Sequence, residues 1–193
     1  KGPVLLDLPM CLQRNIVKKN NKTLKIKIKQ KPINNRLITK IFNILQSASR
    51  PIIIAGGGIR NSQSVKKFND LIKELNIPVV TTWSGMDSID NKNPLYIGNI
   101  GVYGSRAANF CIQNADFILS IGSRLDTRIT GGKPSTFARE AKLIMVDIDK
   151  GELDKKRGLK PYLKVNEDCN NFIDSFKRNI SYYDNTNFSD WFN

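Results

Sequence analysis

The residues best equipped for chemistry lie in three short stretches. In Gly122-Ser123-Arg124-Leu125-Asp126-Thr127-Arg128, two arginines bracket an aspartate just past an apolar run. Two guanidinium forks turned to one side suit an anionic group such as a diphosphate. The same charges could instead close on one another as a surface ion-pair cluster worth little. In Asp147-Ile148-Asp149 the carboxylates suit ribityl or ribose hydroxyls, as the acidic residue of dinucleotide sites does. Capping of a following helix is the competing use, and Asp149 is well placed for it.

The third stretch is Gly56-Gly57-Gly58, where the β-branched run Ile52-Ile53-Ile54 stops. Glycines lack a Cβ and reach positive φ, so a ligand or another backbone can approach the main chain closely. A helical pattern follows at once, with Val65, Phe68, Ile72 and Leu75 on one face and Asn61 or Ser62 as its cap. Strand, glycine turn and helix N-terminus make a corner that favours an anion. The spacing is not G-x-G-x-x-G, and no P-loop Lys-Ser/Thr follows. A tight turn that binds nothing therefore stands beside the phosphate reading.

No catalytic centre assembles around these groups. The sequence has no histidine, which removes the commonest general base and metal ligand. No Ser, Cys or Lys has an activating neighbour in sequence, and no carboxylates have metal-ligand spacing. Cys11, Cys111 and Cys169 are odd in number and far apart, which gives neither a disulfide framework nor a zinc site. A binding or scaffolding domain in a reducing cytoplasm is the expectation.

The elements that must position the three stretches follow from the hydrophobic pattern. Leu37, Ile41, Ile44, Leu45 and Ala48 give a helical face that ends at Arg50-Pro51. Buried strands are expected at Ile52–Ile54, Pro78–Thr82, Phe117–Ile121, Leu143–Asp147 and, shorter, Tyr162–Val165. Helices are expected at Ser105–Asn114, near Glu152–Lys156, and from Asp168 through Phe176. Asn91 to Gly104 reads as a long ordered loop. Alternating strands and helices predict a three-layer α/β/α fold, with a parallel Rossmann-like (DHS-like) sheet of about five or six strands. In such sheets the ligand lies beyond the carboxyl ends of the strands, which here carry Gly56–Gly58, Thr82-Trp83, Gly122–Arg124 and Asp147–Asp149.

The ends of the chain read differently. Gly2–Pro9 looks like one strand cut from a preceding domain, and Gln13–Pro32 like a basic connector. Within that connector, Leu24–Lys29 alternates as an exposed edge strand would. Residues 34–179 form the domain proper, and 180–193 read as a linker. The formal charge of +14 on 193 residues invites a nucleic-acid reading. The lysines are dispersed, however, and no aromatic residues are interleaved with the dense run Lys18–Lys31. A solvated basic surface with no nucleic-acid partner is expected. No apolar run approaches membrane-spanning length, so no membrane partner is expected.

Eight segments then occur in a familiar order: Gly2–Pro9, Arg50–Arg60, Pro78–Thr82, Asn93–Gly98, Gly104–Asn109, Ala115-Asp116, Gly122–Gly131 and Val146–Asp149. With them the chain resembles the central domain of thiamine-diphosphate-dependent enzymes, closest to acetolactate synthase large subunits. The resemblance implies a pyrimidine-binding domain ending at residues 1–12, a linker over 13–33, and the central domain over 34–179. A further domain after 193 would hold the diphosphate and Mg2+. It also implies thiamine diphosphate chemistry, in which a 2-keto acid is decarboxylated and its acyl unit transferred, in a homodimer or homotetramer. FAD is a structural cofactor of this domain in acetolactate synthases. Carried over by position, its contacts fall on Gly57, Gly58, Thr82, Gly122, Ser123, Arg124, Asp126, Arg128, Asp147 and Ile148, with Glu152 and Asp168 as weaker candidates. Trp83-Ser84 stands where those synthases have Leu-Met, Tyr103 where they have His, and Thr127 where they have a second Asp. The alternative is a stand-alone dinucleotide-binding module without thiamine chemistry.

Overall fold

The computed structural model describes residues 3–16, 33–183, 188 and 191. The chain divides into two units, 1–31 and 32–193. In the first, residues 3–9 take no regular structure where a strand was expected, and a single turn, α1 (Met10–Gln13), follows. The lysine-alternating stretch at 24–29 lies outside the described residues.

The second unit is built on six parallel strands: β1 (Pro51–Ala55), β2 (Val79–Thr81), β3 (Tyr96–Asn99), β4 (Phe117–Ile121), β5 (Lys142–Asp147) and β6 (Leu163–Asn166), ordered β3-β2-β1-β4-β5-β6. Every residue of β1 and β4 is buried, as expected of strands covered on both faces. Five strands fall where the apolar runs placed them. The sixth, β3, comes out of the stretch read as a loop. Its residues are half-buried and its pairing slips between Val79 and Val80, so a sequence with glycine in the middle carried little strand signal.

Alternate strand residues face two separate cores. Ile53, Ala55, Leu119, Ile121, Ile144 and Val146 point to one side, with α2 (Asn35–Gln46), α4 (Val65–Leu75) and α8 (Cys169–Arg178) over them. Ile52, Ile54, Ile118 and Met145 point to the other, covered by α5 (Arg106–Asn114) and α7 (Lys150–Asp154). That alternation gives the three layers. Phe176 stacks on Phe42 at 4.1 Å and on Phe172 at 5.3 Å, tying α2 to α8. Aromatic residues of the stretch read as a linker join this core. Tyr183 and Phe188 are buried, and Trp191 Nε1–H donates to the Pro51 carbonyl at 3.1 Å.

Several helix starts follow the side chains at their ends. Asn34, Ser105, Asp149 and Asp168 each accept a first-turn N–H of α2, α5, α7 and α8. The glycine turn opens into a short α3 (Gly58–Asn61), and neither Asn61 nor Ser62 caps the longer helix. Ser64 takes the cap position of α4, and its hydroxyl donates to the Ile59 carbonyl instead.

Candidate functional site

A parallel sheet brings the carboxyl ends of its strands to one edge, and backbone hydrogen bonds lace these ends into a row. Thr82 N–H donates to Ala55 O, Gly56 N–H to Ile121 O, and Gly122 N–H to Val146 O, at 2.9 to 3.0 Å. The strand order reverses between β1 and β4, so Gly56–Gly58 and Gly122–Arg124 stand on either side of the reversal. A crevice for ligands opens at that point in sheets of this kind.

The glycines there are required by the protein's own backbone. A Cβ on Gly56 would lie 2.2 Å from the Gly122 carbonyl oxygen, and one on Gly58 would lie 2.7 Å from Gly122 Cα. Gly122 has φ +64°, and its Cβ would also meet Cys169 Sγ at 2.8 Å. Gly58 N–H donates to Gly122 O at 3.0 Å. Close backbone packing therefore accounts for Gly56, Gly58 and Gly122 without a ligand. A Cβ on Gly57 would lie 3.0 Å from the Ser84 carbonyl oxygen. The amide hydrogens of Gly57 and Ser123 meet no acceptor among the described residues.

The arginine-rich stretch resolves clearly. Asp126 does not pair with either arginine side chain: it caps α6 (Thr127–Thr130) by accepting the Arg128 N–H at 3.0 Å. Arg124 and Arg128 are exposed, and no ion pair among the described residues involves them. Between them Leu125 is fully buried at φ +47°, and the buried Ser123 hydroxyl accepts its N–H at 3.2 Å. The loop is thus pinned while its cations stay free. Gly101 packs on the Arg128 carbonyl, which also accepts the Val102 N–H at 2.9 Å. This contact sets Tyr103 beside α6. Tyr103 and Trp83 meet edge to face at 5.0 Å, and both are exposed, with Met86 and Val102 also exposed nearby in sequence. Sequence reasoning did not find this aromatic pair. Its only trace was two departures from a family pattern, 20 residues apart.

At the end of β5 the two aspartates divide their tasks. Asp149 is the cap of α7 and accepts from Gly151 N–H at 2.7 Å and Glu152 N–H at 3.4 Å. Asp147 is buried and accepts the Asp149 N–H at 2.9 Å. Burial raises its carboxyl above the ordinary range, and repulsion from Asp149 and Glu152 adds to this. The Asp149 amide and the positive charge of Arg124 pull the other way. Ile148 between them is exposed, and its carbonyl accepts from Asn166 Nδ2 at 2.8 Å. Of the weaker candidates, Glu152 is held by Lys155 and, at 2.7 Å, by Arg157, which lower its pKa; Asp168 caps α8. Thr82 is buried, with its hydroxyl 3.4 Å from that of Ser84.

This edge therefore presents two free guanidinium groups, a buried carboxylate and exposed aromatic rings. No group of three or more His, Cys, Asp or Glu among the described residues is placed to hold a metal ion. A shallow hollow of about 460 Å³ lies elsewhere, on the outer face of α5 against Arg106, Phe110 and Gln113.

Comparison with known proteins adds a family to this geometry. The model of the thiamine pyrophosphate enzyme central domain matches residues 38–176. The chain is 39% identical over 160 residues to a probable acetolactate synthase large subunit of Methanococcus aeolicus, covering 80% of this chain and 26% of that protein. It is 28% identical over 185 residues to the acetolactate synthase isozyme 2 large subunit of Escherichia coli, covering 95% and 33%. Against the acetolactate synthase large subunit of Lactococcus lactis it is 33% identical over 157 residues, covering 80% and 27%. The chain thus spans about a quarter to a third of the length of these relatives.

Proposed function

Because the chain belongs to the thiamine pyrophosphate enzyme central-domain family, we propose that it is the cofactor-supporting middle domain of an acetolactate synthase-like enzyme. In that reading the protein decarboxylates a 2-keto acid and transfers the acyl unit. Thiamine diphosphate and Mg2+ are held mainly by flanking domains, and the working form is a cytoplasmic homodimer or homotetramer. Residues 1–12 end the preceding domain, 13–33 link, 34–179 form the middle domain and 180–193 lead onward.

We infer further that the carboxyl edge binds FAD or a related dinucleotide. The observation that carries this is the freedom of Arg124 and Arg128. Arg124 stands in a loop fixed by Leu125 and Ser123, Arg128 stands on α6 just after it, and Asp126, the one carboxylate between them, is committed to capping that helix. Exposed cations of this kind fit a diphosphate bidentately. The unclaimed amides of Gly57 and Ser123 suit the same anion. Gly58, Gly122 and Thr82 shape the floor, while Asp147 and Ile148 border the part that would meet sugar hydroxyls. Bound there, FAD would serve as a structural group. The chain's own residues would hold its phosphates and exclude water, and none of them carries a proton to a substrate.

Equilibrium dialysis of the purified protein against FAD and against ADP tests this. Saturable binding of both is expected, weakened about tenfold or more in the Arg124→Ala/Arg128→Ala variant. Equal binding by variant and parent, or none by either, would remove the dinucleotide from this edge and leave the family assignment untouched.

A further inference from the structure

The opposite edge of the sheet carries a second group of cations that the cofactor reading does not use. Lys40 lies on α2, Lys142 opens β5, and Tyr162 directly precedes β6. Some 120 residues of sequence separate Lys40 from Tyr162. The fold nevertheless sets the Lys40 ammonium 5.5 Å and the Lys142 ammonium 6.0 Å from the centre of the same Tyr162 ring. The ring is more than half exposed. Neither lysine forms an ion pair among the described residues. The carboxylate of Asp116, whose carbonyl accepts the Lys142 N–H at 2.8 Å, is already occupied by the Ser49 and Arg50 amides at 2.8 and 2.9 Å.

We propose that Lys40, Lys142 and Tyr162 form an oxyanion site for a phosphate group at the amino-terminal edge of the sheet. The ring's quadrupole attracts each ammonium group, one at 5.5 Å and the other at 6.0 Å from its centre. Two ammonium groups beside one ring raise the local positive potential, and with neither held in an ion pair among the described residues an external anion stabilises both. A phosphate carries up to two negative charges and accepts from both ammonium groups, which a single carboxylate does less well. The site is independent of the dinucleotide edge, since it uses the other ends of the strands.

The test is site-resolved. Lysines labelled by reductive ¹³C-methylation keep their charge and give separate NMR signals, and the signals of Lys40 and Lys142 are assigned by Lys40→Gln and Lys142→Gln. The probe is inorganic pyrophosphate, added to the Arg124→Ala/Arg128→Ala protein so that the carboxyl edge does not compete. The Lys40 and Lys142 signals should move together and saturate while other surface lysines shift little. Lys40→Gln should weaken the binding seen at Lys142 about tenfold. Tyr162→Leu should uncouple the two signals. Parallel, unsaturated drift of all lysines, or an unchanged titration of Lys142 in Lys40→Gln, would overturn the proposal. Both lysines are exposed, so their removal leaves a folded protein to measure.

Discussion

Cys169 is where the residue scale is most informative. Its thiol is buried where α8 meets the glycine corner, and burial, helped by the charges of Asp168 and Asp147, pushes its pKa from 9.0 up to about 12. The folded state holds that proton more tightly than the unfolded chain. Cys169 therefore contributes stability that is complete below pH 9 and is lost as pH rises from there toward about 12. Other groups titrate in the same range, so the useful quantity is the stability difference between the parent and Cys169→Ala in urea. It should stay flat from pH 7 to pH 8.5 and then fall by roughly 1.4 kcal/mol per pH unit as the unfolded thiol ionises. A difference that is still flat at pH 10.5 would mean that the thiol is not sheltered as the fold implies. The same shelter makes Cys169 the last of the three cysteines to react with a thiol reagent, since Cys11 is exposed and Cys111 half-buried.

At the scale of elements, the joint between β1–α3 and the end of β4 decides whether the edge forms at all. Gly122→Ala puts a Cβ 2.7 Å from Gly58 Cα, against backbone that cannot swing aside, at a φ of +64° that alanine disfavours. Gly132→Ala meets nothing within 4 Å. Urea titrations should therefore separate the two variants, Gly122→Ala losing about 3 kcal/mol or more and Gly132→Ala staying within about 0.5 kcal/mol. Similar losses in both would show that the close glycine crossing is not what holds the joint. This contrast also marks the limit of sequence reading. The glycines were recognised as a place of close approach, but whether ligand or backbone approached was fixed by Gly122, 66 residues from Gly56. Asp149 was likewise read as cap or ligand, and Asp126 as an ion-pair partner of the arginines or a cofactor contact. Only the coordinates of their first-turn amides show both acting as caps, which leaves the arginines unpaired. The strands of the middle were legible because burial on both faces demands continuous β-branched runs; β3 was not, because a half-buried edge strand makes no such demand.

Across the whole molecule, the strand order places the candidate edge at the most protected part of the sheet. β1 and β4 have neighbours on both sides and helices on both faces, and the order reverses between them. β3 and β6 are the outer strands; β3 is half-buried along its length, and β6 buries only Val165. Opening a central strand requires breaking two ladders and both cores, whereas an outer strand can lift away from one. A site built on the ends of β1 and β4 thus inherits the rigidity of the centre, while the loops after β2 and β3 that carry Trp83 and Tyr103 lie toward the looser side. Native-state amide hydrogen exchange should therefore rank β1 and β4 slowest, near the global unfolding free energy. β2 and β5 should follow, and β3 and β6 should exchange fastest through local opening. Added dinucleotide should slow the Trp83 and Tyr103 loops more than the amides of β1 and β4, which have little motion left to lose. If β3 exchanged as slowly as β1 in the unliganded protein, the sheet would be held at that edge by contacts beyond those within this unit, and the division into rigid centre and adjustable rim would have to be abandoned.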